Sequence, residues 1–410
     1  MIDFEAPIAV DLFAGAGGFG LGLQFAGFNV PLSLEIDSWA CETLRLNHPR
    51  MMVVEADIRD FQSDSAIRQA CPFAPQVIVG GPPCQGFSVA GPARKDPSDP
   101  RNSLFVNFAR WVECLQPAVF VMENVKGLLS RRNSAGDLVI EIIRRTFADI
   151  GYSIADYWIL NAAEFGVPQI RERVFIVGTI TDAPIVRPMS THSVRNSETA
   201  EPFLPGTEWR RSAPTVWDAI SDLPELAAGE GDEQQPYTSE PRTEFQRWAR
   251  QSSPSLLNHV AMSHSRRLVE RFKVIKWGES AADVPLEHGA RRRNSNGAIL
   301  ERSYDQNNRR LHPNKPSHTI AASFYANFLH PFQHRNLTAR EGARIQSFPD
   351  RYRFCGKKTV VSHKLLQREK RFDEKYLCQY NQIGNAVPPL LAQVVGKSVA
   401  EAIALCTTLD

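Results

Sequence analysis

Short apolar runs alternate with longer amphipathic stretches over the first 180 residues of the chain. The runs predict β-strands, and the stretches between them, where apolar residues recur every three to four positions, predict helices. The predicted strands are residues 8–13, 30–35, 52–55, 76–79 and 118–122, and the predicted helices include 18–26, 38–47 and 103–115. Strands that alternate with helices are typical of βαβ units and a parallel sheet.

A different pairing is expected at the end of this region. Segments 153–160 and 173–180 both have strand character, and no helix-length segment lies between them. A parallel connection needs a crossover, usually helical, so we expect these two strands to pair directly with each other and to close an open α/β sheet.

The composition and periodicity of the sequence change after about residue 190. Pro, Ser, Glu, Asn and Arg dominate with weak periodicity until about residue 335, which indicates a second, smaller and loop-rich domain. Regular apolar periodicity returns at 337–346 and at 387–404, and both segments are predicted helices.

The composition is that of an ordinary globular protein, with 410 residues, 43% of them hydrophobic and 22% charged. No apolar run approaches the ~20 residues that span a bilayer, and the start of the chain lacks a signal-peptide pattern. We therefore expect a cytoplasmic protein that does not bind membranes. The seven cysteines include no CxxC pair, so neither a disulfide framework nor a metal site is expected.

Charge is distributed unevenly, although the net charge is only +2. Residues 213–241 carry seven acidic and no basic residues, whereas residues 242–312 carry fourteen basic and seven acidic residues. The basic stretch predicts a surface for a polyanion such as nucleic acid, although solvated surface charge gives the same count.

The first predicted strand runs into a glycine turn, FAGAGGFG, that opens a helix. Backbone N–H groups and the positive end of the helix can meet a ligand there. Gly15, Gly17 and Gly20 also satisfy GxGxxG, a weak signal alone because glycines after a strand can simply permit a tight turn. Glu35 ends the second strand, where a ribose would need an acceptor, so a nucleoside-bearing cofactor is predicted.

The segment GGPPCQGFS, residues 80–88, directly follows the fourth strand. Two prolines fix the backbone before the lone thiol of Cys84, and glycines on both sides allow close approach. A thiol at the ligand edge of the sheet can act as a nucleophile if its thiolate is stabilised. The alternative, a buried core thiol, is disfavoured by the Pro-Pro-Cys-Gln loop.

Two further motifs follow the fifth strand. Glu123 lies one strand from Cys84, and it is either a proton donor or hydrogen-bond clamp or simply a helix cap. Arg171 and Arg173 alternate at the start of the last strand, so both lie on one face and need anions there. Those anions could be a phosphate, a carboxylate or neighbouring Glu residues.

Together these segments resemble the cytosine-C5 DNA methyltransferase family. Its ordered motifs appear as FAGAGG at 13–18, GGPPCQGFS at 80–88, ENV at 123–125, QIRERVFIVG at 169–178, RNLTAREGARIQSFP at 335–349 and QIGNAVPP at 382–389. The match covers about residues 1–185 and 335–404 and does not extend in detail to the middle segment.

The resemblance implies an α/β fold: a Rossmann-like S-adenosylmethionine-dependent methyltransferase sheet with a second, smaller, loop-rich DNA-recognition domain. Residues 1–188 would form the catalytic and cofactor-binding domain and 189–334 the target-recognition domain. Residues 335–410 would form a C-terminal part that returns to the catalytic domain.

The resemblance also implies site residues. Catalytic roles fall to Cys84, Glu123, Arg171 and Arg173. Contacts with the cofactor S-adenosylmethionine fall to Phe13, Gly15, Gly17, Gly18, Glu35, Ile36, Asp57, Ile58, Pro82, Leu104, Asn385 and Val387. Contacts with nucleic acid fall to Gln85, Ser88, Gln169, Arg266, Arg267, Lys273, Arg291, Arg292 and Arg293, with Gln169 also supporting its loop.

The implied reaction begins with attack of the Cys84 thiolate on C6 of a cytosine turned out of the duplex. Glu123 would hold N3 and the exocyclic amine, so that C5 can take the methyl group. Arg171 and Arg173 would lie near the base O2 and the sugar-phosphate.

The implied partner is double-stranded DNA, bound by a monomer. Protection of host DNA in a bacterial restriction-modification system is the expected task, so a cognate endonuclease that acts on the same site without a stable complex is a candidate partner. The alternatives are methylation of cytosine C5 in RNA, a DNA-binding protein that has lost catalysis, and a nicotinamide-dependent oxidoreductase.

Overall fold

The structure is a computed structural model that describes residues 6–83, 104–133, 136–154, 156–180, 184–194, 210–289, 307–358, 368–370 and 376–407. The predicted site residues Cys84, Gln85, Ser88, Arg291, Arg292 and Arg293 lie outside the described residues. The chain divides into two compact units. The first consists of Met1–Phe165, Arg171–Thr191 and Val387–Asp410, and the second of Gly166–Ile170 and His192–Ala386.

This division differs from the predicted domains in one long segment. Residues 335–386 were expected to return to the catalytic domain, but they pack in the second unit, and only the segment from Val387 onward joins the first. The second unit is therefore nearly as large as the first. The functions assigned to the predicted domains stay predictions.

The first unit contains a seven-stranded sheet that confirms the predicted strands. Its strands are β1 (Ile8–Leu12), β2 (Asn29–Glu35), β3 (Met52–Glu55), β4 (Val77–Gly80), β5 (Val119–Val125), β6 (Tyr157–Asn161) and β7 (Glu172–Thr179). The order across the sheet is β3-β2-β1-β4-β5-β7-β6. Strands β1 to β5 pair in parallel, whereas β7 is antiparallel to both β5 and β6. The order reverses between β1 and β4, which is where open α/β sheets form a ligand crevice.

Helices connect the parallel strands and cover the sheet. They are α1 (Gly18–Phe25), α2 (Ser38–Asn47), α3 (Asp64–Ala70), α4 (Leu104–Leu115) and α5 (Val139–Asp149), with short 3₁₀ turns at Ile58–Asp60, Lys126–Ser130 and Ala162–Phe165. Phe108 of α4 and Phe147 of α5 pack on Phe120 of β5, and the rings of Phe120 and Phe147 stack at 3.9 Å. Because β4 and β5 are central strands, their apolar residues are almost fully buried, apart from Val125 at the end of β5.

The second unit is built from short elements. Its strand pairs are β8 (His192–Ser193) with β9 (Arg211–Ser212), β10 (Gly231–Gln235) with β11 (Leu256–Val260), and β12 (Arg309–Arg310) with β13 (Phe328–Leu329). Its helices are α6 (Val216–Ile220), α7 (Glu244–Ala249), α8 (Arg266–Val274), α9 (Phe324–Asn327), α10 (Ala339–Ile345) and α11 (Gln379–Asn385), and a 3₁₀ turn spans Leu286–His288.

Helix α10 confirms the helix predicted at 337–346, and it forms the centre of the second unit. Every residue of α10 is buried, including charged ones. Arg344 pairs with Asp222 and, at 2.6 Å, with Asp350, and all three side chains are fully buried. Arg335 donates to both oxygens of Glu341, which also completes the capping box at the start of the helix. Buried charges require this degree of pairing, because an unpaired one would be strongly destabilising.

The last helix, α12 (Pro389–Thr407), confirms the segment predicted at 387–404 and packs on α1 in the first unit. The two helices approach so closely that a Cβ at Gly22 would lie 2.3 Å from the Cβ of Ala392. The N- and C-terminal parts of the chain therefore build one unit. Among the described residues, no helix is both long enough and apolar enough to span a membrane.

Candidate active site

The turn after β1 has a backbone that few residue types adopt. Phe13, Gly15 and Gly17 all have positive φ angles, of 58°, 53° and 77°. Left-handed φ is easy for glycine and costly for a residue with a side chain, so Phe13 holds a strained conformation of the kind that clusters at functional sites. A Cβ at Gly15 would meet nothing within 4 Å, so open space borders this turn. Gly17 then caps α1, whose first N–H groups and positive end face the same region.

Glu35 ties the end of β2 to this turn. Its Oε2 accepts the N–H of Gly15 at 2.7 Å, and its Oε1 accepts those of Ile36 and Asp37, both at 2.9 Å. Burial raises the pKa of Glu35, and the three N–H donors oppose that rise. Such a carboxylate is held rigidly at the carboxyl end of the strand, where a ribose hydroxyl could donate to it.

A second buried carboxylate lies beneath the turn. Asp11 of β1 is 1% exposed, and it accepts the N–H of Gly20 in the first turn of α1 at 2.9 Å. Burial raises the pKa of Asp11 to about 7, with a further increase from the charge of Glu35. Its hydrogen bond fixes the first turn of the helix relative to the strand. Asp11 was not among the predicted site residues, although an acidic residue inside an apolar strand was the available signal.

The other predicted cofactor residues of the first unit divide into exposed and buried ones. Ile36 is 60% exposed beside Glu35, so its side chain is accessible to a ligand. Asp57 caps the 3₁₀ turn that follows β3 and pairs with Arg59, which lowers the pKa of that carboxyl. Ile58 and Leu104 belong to the buried core, so their side chains serve packing first.

Gly81 and Pro82, which follow β4, lie beside the end of β5. A Cβ at Gly81 would be 3.2 Å from Oε2 of Glu123, and the carbonyl of Pro82 accepts a hydrogen bond from Asn124 at 3.1 Å. The segment that leads into Cys84 is thus fixed against the Glu-Asn-Val motif. Asn124 belongs to the Glu-Asn-Val motif but had no predicted role, and its place next to Glu123 was the only signal.

Glu123 and Arg173 form an ion pair, with Nε 3.0 Å from Oε1 and each side chain 13% exposed. Antiparallel pairing brings them together, since Glu123 lies opposite Phe175 and Val125 lies opposite Arg173. Burial raises the pKa of Glu123, while the charges of Arg173 and Arg171 lower it. Burial, followed by the charge of Arg173, lowers the pKa of Arg171, which is 2% exposed. Of the anions left open for the arginines, a neighbouring Glu is the one observed.

Asn385 and Val387 flank the junction between α11 and α12. Asn385 is exposed at the end of α11, whereas Val387 is buried. Gly384 packs so tightly that a Cβ there would lie 2.3 Å from the carbonyl oxygen of Ala321, which explains the glycine before Asn385. Their predicted contacts with the cofactor stay predictions.

The buried position of Gln169 contradicts one of its predicted roles. It was assigned to nucleic-acid contacts, but the side chain is fully buried and its amide bonds to protein groups only among the described residues. An amide whose donors and acceptor are already used inside the fold has nothing left for a phosphate or a base. Support of its loop, the other role expected of Gln169, agrees with this position.

The predicted phosphate contacts that the structure describes lie on α8. Arg266, Arg267 and Lys273 are exposed, and Lys273 pairs with Glu270 at 2.9 Å. Arg271 of the same helix is buried and donates to the carbonyls of His288 and Gly289. The helix therefore offers exposed cations, while Arg271 anchors the segment that leads into 291–293.

Comparisons with known proteins identify the family of this chain. The family model of C-5 cytosine-specific DNA methylases matches residues 8–401. The type II methyltransferase M.DdeI of Desulfomicrobium norvegicum is 45% identical over 95% of this chain and 88% of its own length. The type II methyltransferase M1.HphI of Haemophilus parahaemolyticus is 36% identical over 95% and 86%.

Solved structures of methyltransferases also match this chain. A crystal structure of a protein described as a putative DNA modification methyltransferase encoded within an E. coli prophage is 26% identical. It covers 97% of this chain and 100% of its own, with a TM-score of 0.70. The Dnmt2 methyltransferase of S. pombe, at 14% identity and a TM-score of 0.55, shares the fold. The matched residues span both units, and this chain belongs to the C-5 cytosine-specific DNA methylase family.

Proposed function

We propose that this chain methylates C5 of an extrahelical cytosine by way of a covalent bond between Cys84 and C6 of the base. Its family makes it a DNA (cytosine-5-)-methyltransferase that acts on double-stranded DNA with S-adenosylmethionine as the methyl donor. Its relatives are described as type II methyltransferases, and the chain is accordingly the modification enzyme of a restriction-modification system. The residues that perform each step are our proposal.

The observation that carries the mechanism is the buried ion pair of Glu123 and Arg173 beside Gly81, three residues before Cys84. Cytosine C5 is a poor nucleophile, because the aromatic ring resists giving up electron density. Attack of the Cys84 thiolate on C6 forms the S–C6 bond and moves the electron pair of the C5–C6 double bond toward C5 and N3. Glu123, whose pKa is raised by burial, can hold or protonate N3 and so accept that charge.

The arginines complete the base pocket. Arg173 fixes the Glu123 carboxyl from one side, and Arg171 adds a second positive charge close by. Both favour the negative charge that develops on the base as addition proceeds, and both attract its phosphate. After methyl transfer a base, which can be water, removes the C5 proton; the S–C6 bond then breaks and Cys84 leaves as thiolate.

The turn after β1 supports the proposed cofactor site. S-adenosylmethionine supplies an electrophilic methyl group when bound. The positive φ of Gly15 and the open space beside it let main-chain N–H groups approach the ligand. Glu35 would hold the ribose hydroxyls, and Phe13 and Ile36 would contact the adenine.

Binding of duplex DNA must offset the cost of turning out the target base, a few kcal/mol. We propose that Arg266 and Arg267 contribute phosphate contacts, together with residues 291–293. We further propose that the enzyme acts as a monomer in the cytoplasm, and that its cognate endonuclease reads the same site without a stable complex.

Variants of the two reactive groups test the mechanism. We expect Cys84→Ser to abolish methyl transfer while DNA and cofactor still bind, because an alcohol is far less ionised than a thiol near neutral pH. We expect Glu123→Gln to lower kcat by about 10²- to 10⁴-fold, the usual contribution of a general acid. The measurement is transfer of labelled methyl groups to duplex DNA. Near-normal turnover by Cys84→Ser would show that another group is the nucleophile.

Substrate choice and covalent addition need separate tests. Duplex DNA with 5-fluorocytosine at the target should trap the wild-type enzyme covalently, because no proton can leave C5. Absence of a trapped species on DNA that is otherwise methylated would contradict covalent addition. Methyl transfer to RNA but not to duplex DNA would favour the RNA alternative.

A further inference from the structure

Two buried glutamines meet at the centre of the second unit. Gln169 and Gln346 are both fully buried, and Nε2 of Gln169 donates to Oε1 of Gln346. Gln346 directly follows α10 as its C-terminal cap residue. Burying two amides is costly unless their polar atoms form hydrogen bonds. Their hydrogen-bond partners therefore show which segments the pair holds in place.

The partners come from three different segments. Oε1 of Gln169 accepts the N–H of Ile320 at 2.7 Å, and its Nε2 also lies 3.4 Å from the carbonyl oxygen of Ile345. Nε2 of Gln346 donates to the carbonyls of Ile383 at 3.0 Å and Ala386 at 2.9 Å. A backbone N–H can only donate and a carbonyl can only accept, so the orientation of both amides is determined.

Main-chain bonds strengthen the hold on the segment around Gln169. Ile170 N–H donates to the Ser317 carbonyl at 2.8 Å, and Ser317 N–H donates to the Pro168 carbonyl at 2.9 Å. The Thr319 hydroxyl donates to the Ile170 carbonyl at 2.9 Å. Residues 168–170 are thus fixed on one side by 317–320 and on the other by the end of α10. The next residue along the chain is Arg171.

We propose that Gln169 and Gln346 act together as positioning residues for methyl transfer. The pair fixes the main chain that leads into Arg171 and, through the carbonyls of Ile383 and Ala386, the turn that carries Asn385. This inference rests on the proposed role of Arg171 and on the predicted role of Asn385. Both glutamines are fully buried, so we expect them to affect the reaction only through the geometry of these segments.

Catalysis is sensitive to such geometry, because a displacement of about 1 Å far from the chemistry can lower a rate about 100-fold. Apolar packing alone would not specify the position of three carbonyls and one N–H to this accuracy, whereas directional hydrogen bonds do. Methionine is close to glutamine in length and removes these bonds while filling the space. Gln169→Met and Gln346→Met are therefore the informative variants.

The experiment compares the wild type, both single variants and the double variant in single-turnover methylation of duplex DNA, with separate measurement of kcat, KM and DNA binding. We expect each single variant to lower kcat by about 10- to 100-fold. DNA affinity should change by less than about twofold, since the exposed cations of α8 are untouched. The double variant should be no slower than the slower single variant, because the two amides act as one unit.

Gln246→Met is the matched control. Gln246 is also fully buried in the second unit and its amide caps α7, away from the pair. We expect this control to lower Tm by an amount similar to the test variants and to leave kcat unchanged. If the test variants lower only Tm, as the control does, the pair serves packing alone and the inference is wrong. If their effects on kcat multiply, the two amides do not act as one unit and the inference is wrong on that ground.

The experiment distinguishes failure of this inference from failure of the proposed function. A wild-type enzyme that transfers no methyl group to DNA would contradict the proposed function, and the inference with it. A wild-type enzyme that is active, with unaffected Gln169→Met and Gln346→Met variants, would contradict the inference alone.

Discussion

The buried carboxylate of Asp11 makes a prediction about stability and pH. In the folded chain the pKa of Asp11 is raised from its ordinary value of 3.8 to about 7, mainly by burial. A folded state with the higher pKa binds a proton more tightly than the unfolded state, so its stability falls as pH rises from about 4 to about 7. We expect Asp11→Asn to remove this dependence, because asparagine does not titrate and its Oδ1 can still accept the Gly20 N–H.

The expected change in the free energy of unfolding follows from the pKa shift of Asp11. A difference of about 3 pKa units corresponds to about 4 kcal/mol of unfolding free energy, of which roughly 3 kcal/mol is lost between pH 5 and pH 8.5. The free energy of unfolding of the variant minus that of the wild type should therefore rise by up to roughly 3 kcal/mol over this range. Any pH-independent cost of the new amide shifts the whole curve and leaves this slope unchanged.

Urea unfolding at several pH values between 5 and 8.5 measures the effect. Glu55→Gln is a control that should show no slope between pH 5 and pH 8.5, because hydrogen bonds from Ser38 and Arg45 lower the pKa of Glu55 and its carboxyl stays ionised over this range. The wild-type Glu55 contribution is present above pH ~4.5 and is lost as pH falls, and at 33% exposure it is worth less than about 1 kcal/mol. Parallel pH curves for the wild type and Asp11→Asn would refute the proposed protonation of Asp11.

Two further predictions concern packing and DNA binding. Gly22→Ala should lower the unfolding free energy by about 3 kcal/mol, because its Cβ would lie 2.3 Å from that of Ala392 and 2.5 Å from a backbone oxygen. Gly127→Ala, where a Cβ meets nothing within 4 Å, should change it by less than about 0.5 kcal/mol in the same denaturant titration. Equal effects would mean that α1 and α12 do not pack as described. Replacing Arg266 and Arg267 together with alanine should weaken DNA binding at every sequence. The slope of log affinity against log salt, measured by fluorescence anisotropy, should become shallower by about one unit for each lost phosphate contact. An unchanged slope would remove these arginines from the phosphate contacts.

The sequence by itself determined the family, the cofactor and most elements of the fold. Apolar runs separated by amphipathic helices predict parallel strands because each such strand must be covered on both faces, and β1 to β5 follow the predicted runs closely. The motifs around Cys84 and Glu123 also indicated the chemistry, since a thiol and a carboxyl after adjacent parallel strands reach the same edge of the sheet.

Tertiary structure decided what depends on contacts between residues distant in the chain. The pattern did not predict the place of β7 between β5 and β6, so it left open whether Arg173 meets a ligand or Glu123. The family resemblance assigned Gln169 to nucleic-acid contacts, but the same polar side chain can lie on a surface or in a core. Only its hydrogen bonds with Ile320 and Gln346 show that it lies in the core. Burial and pairing are properties of the folded chain as a whole, and a local pattern carries little information about them.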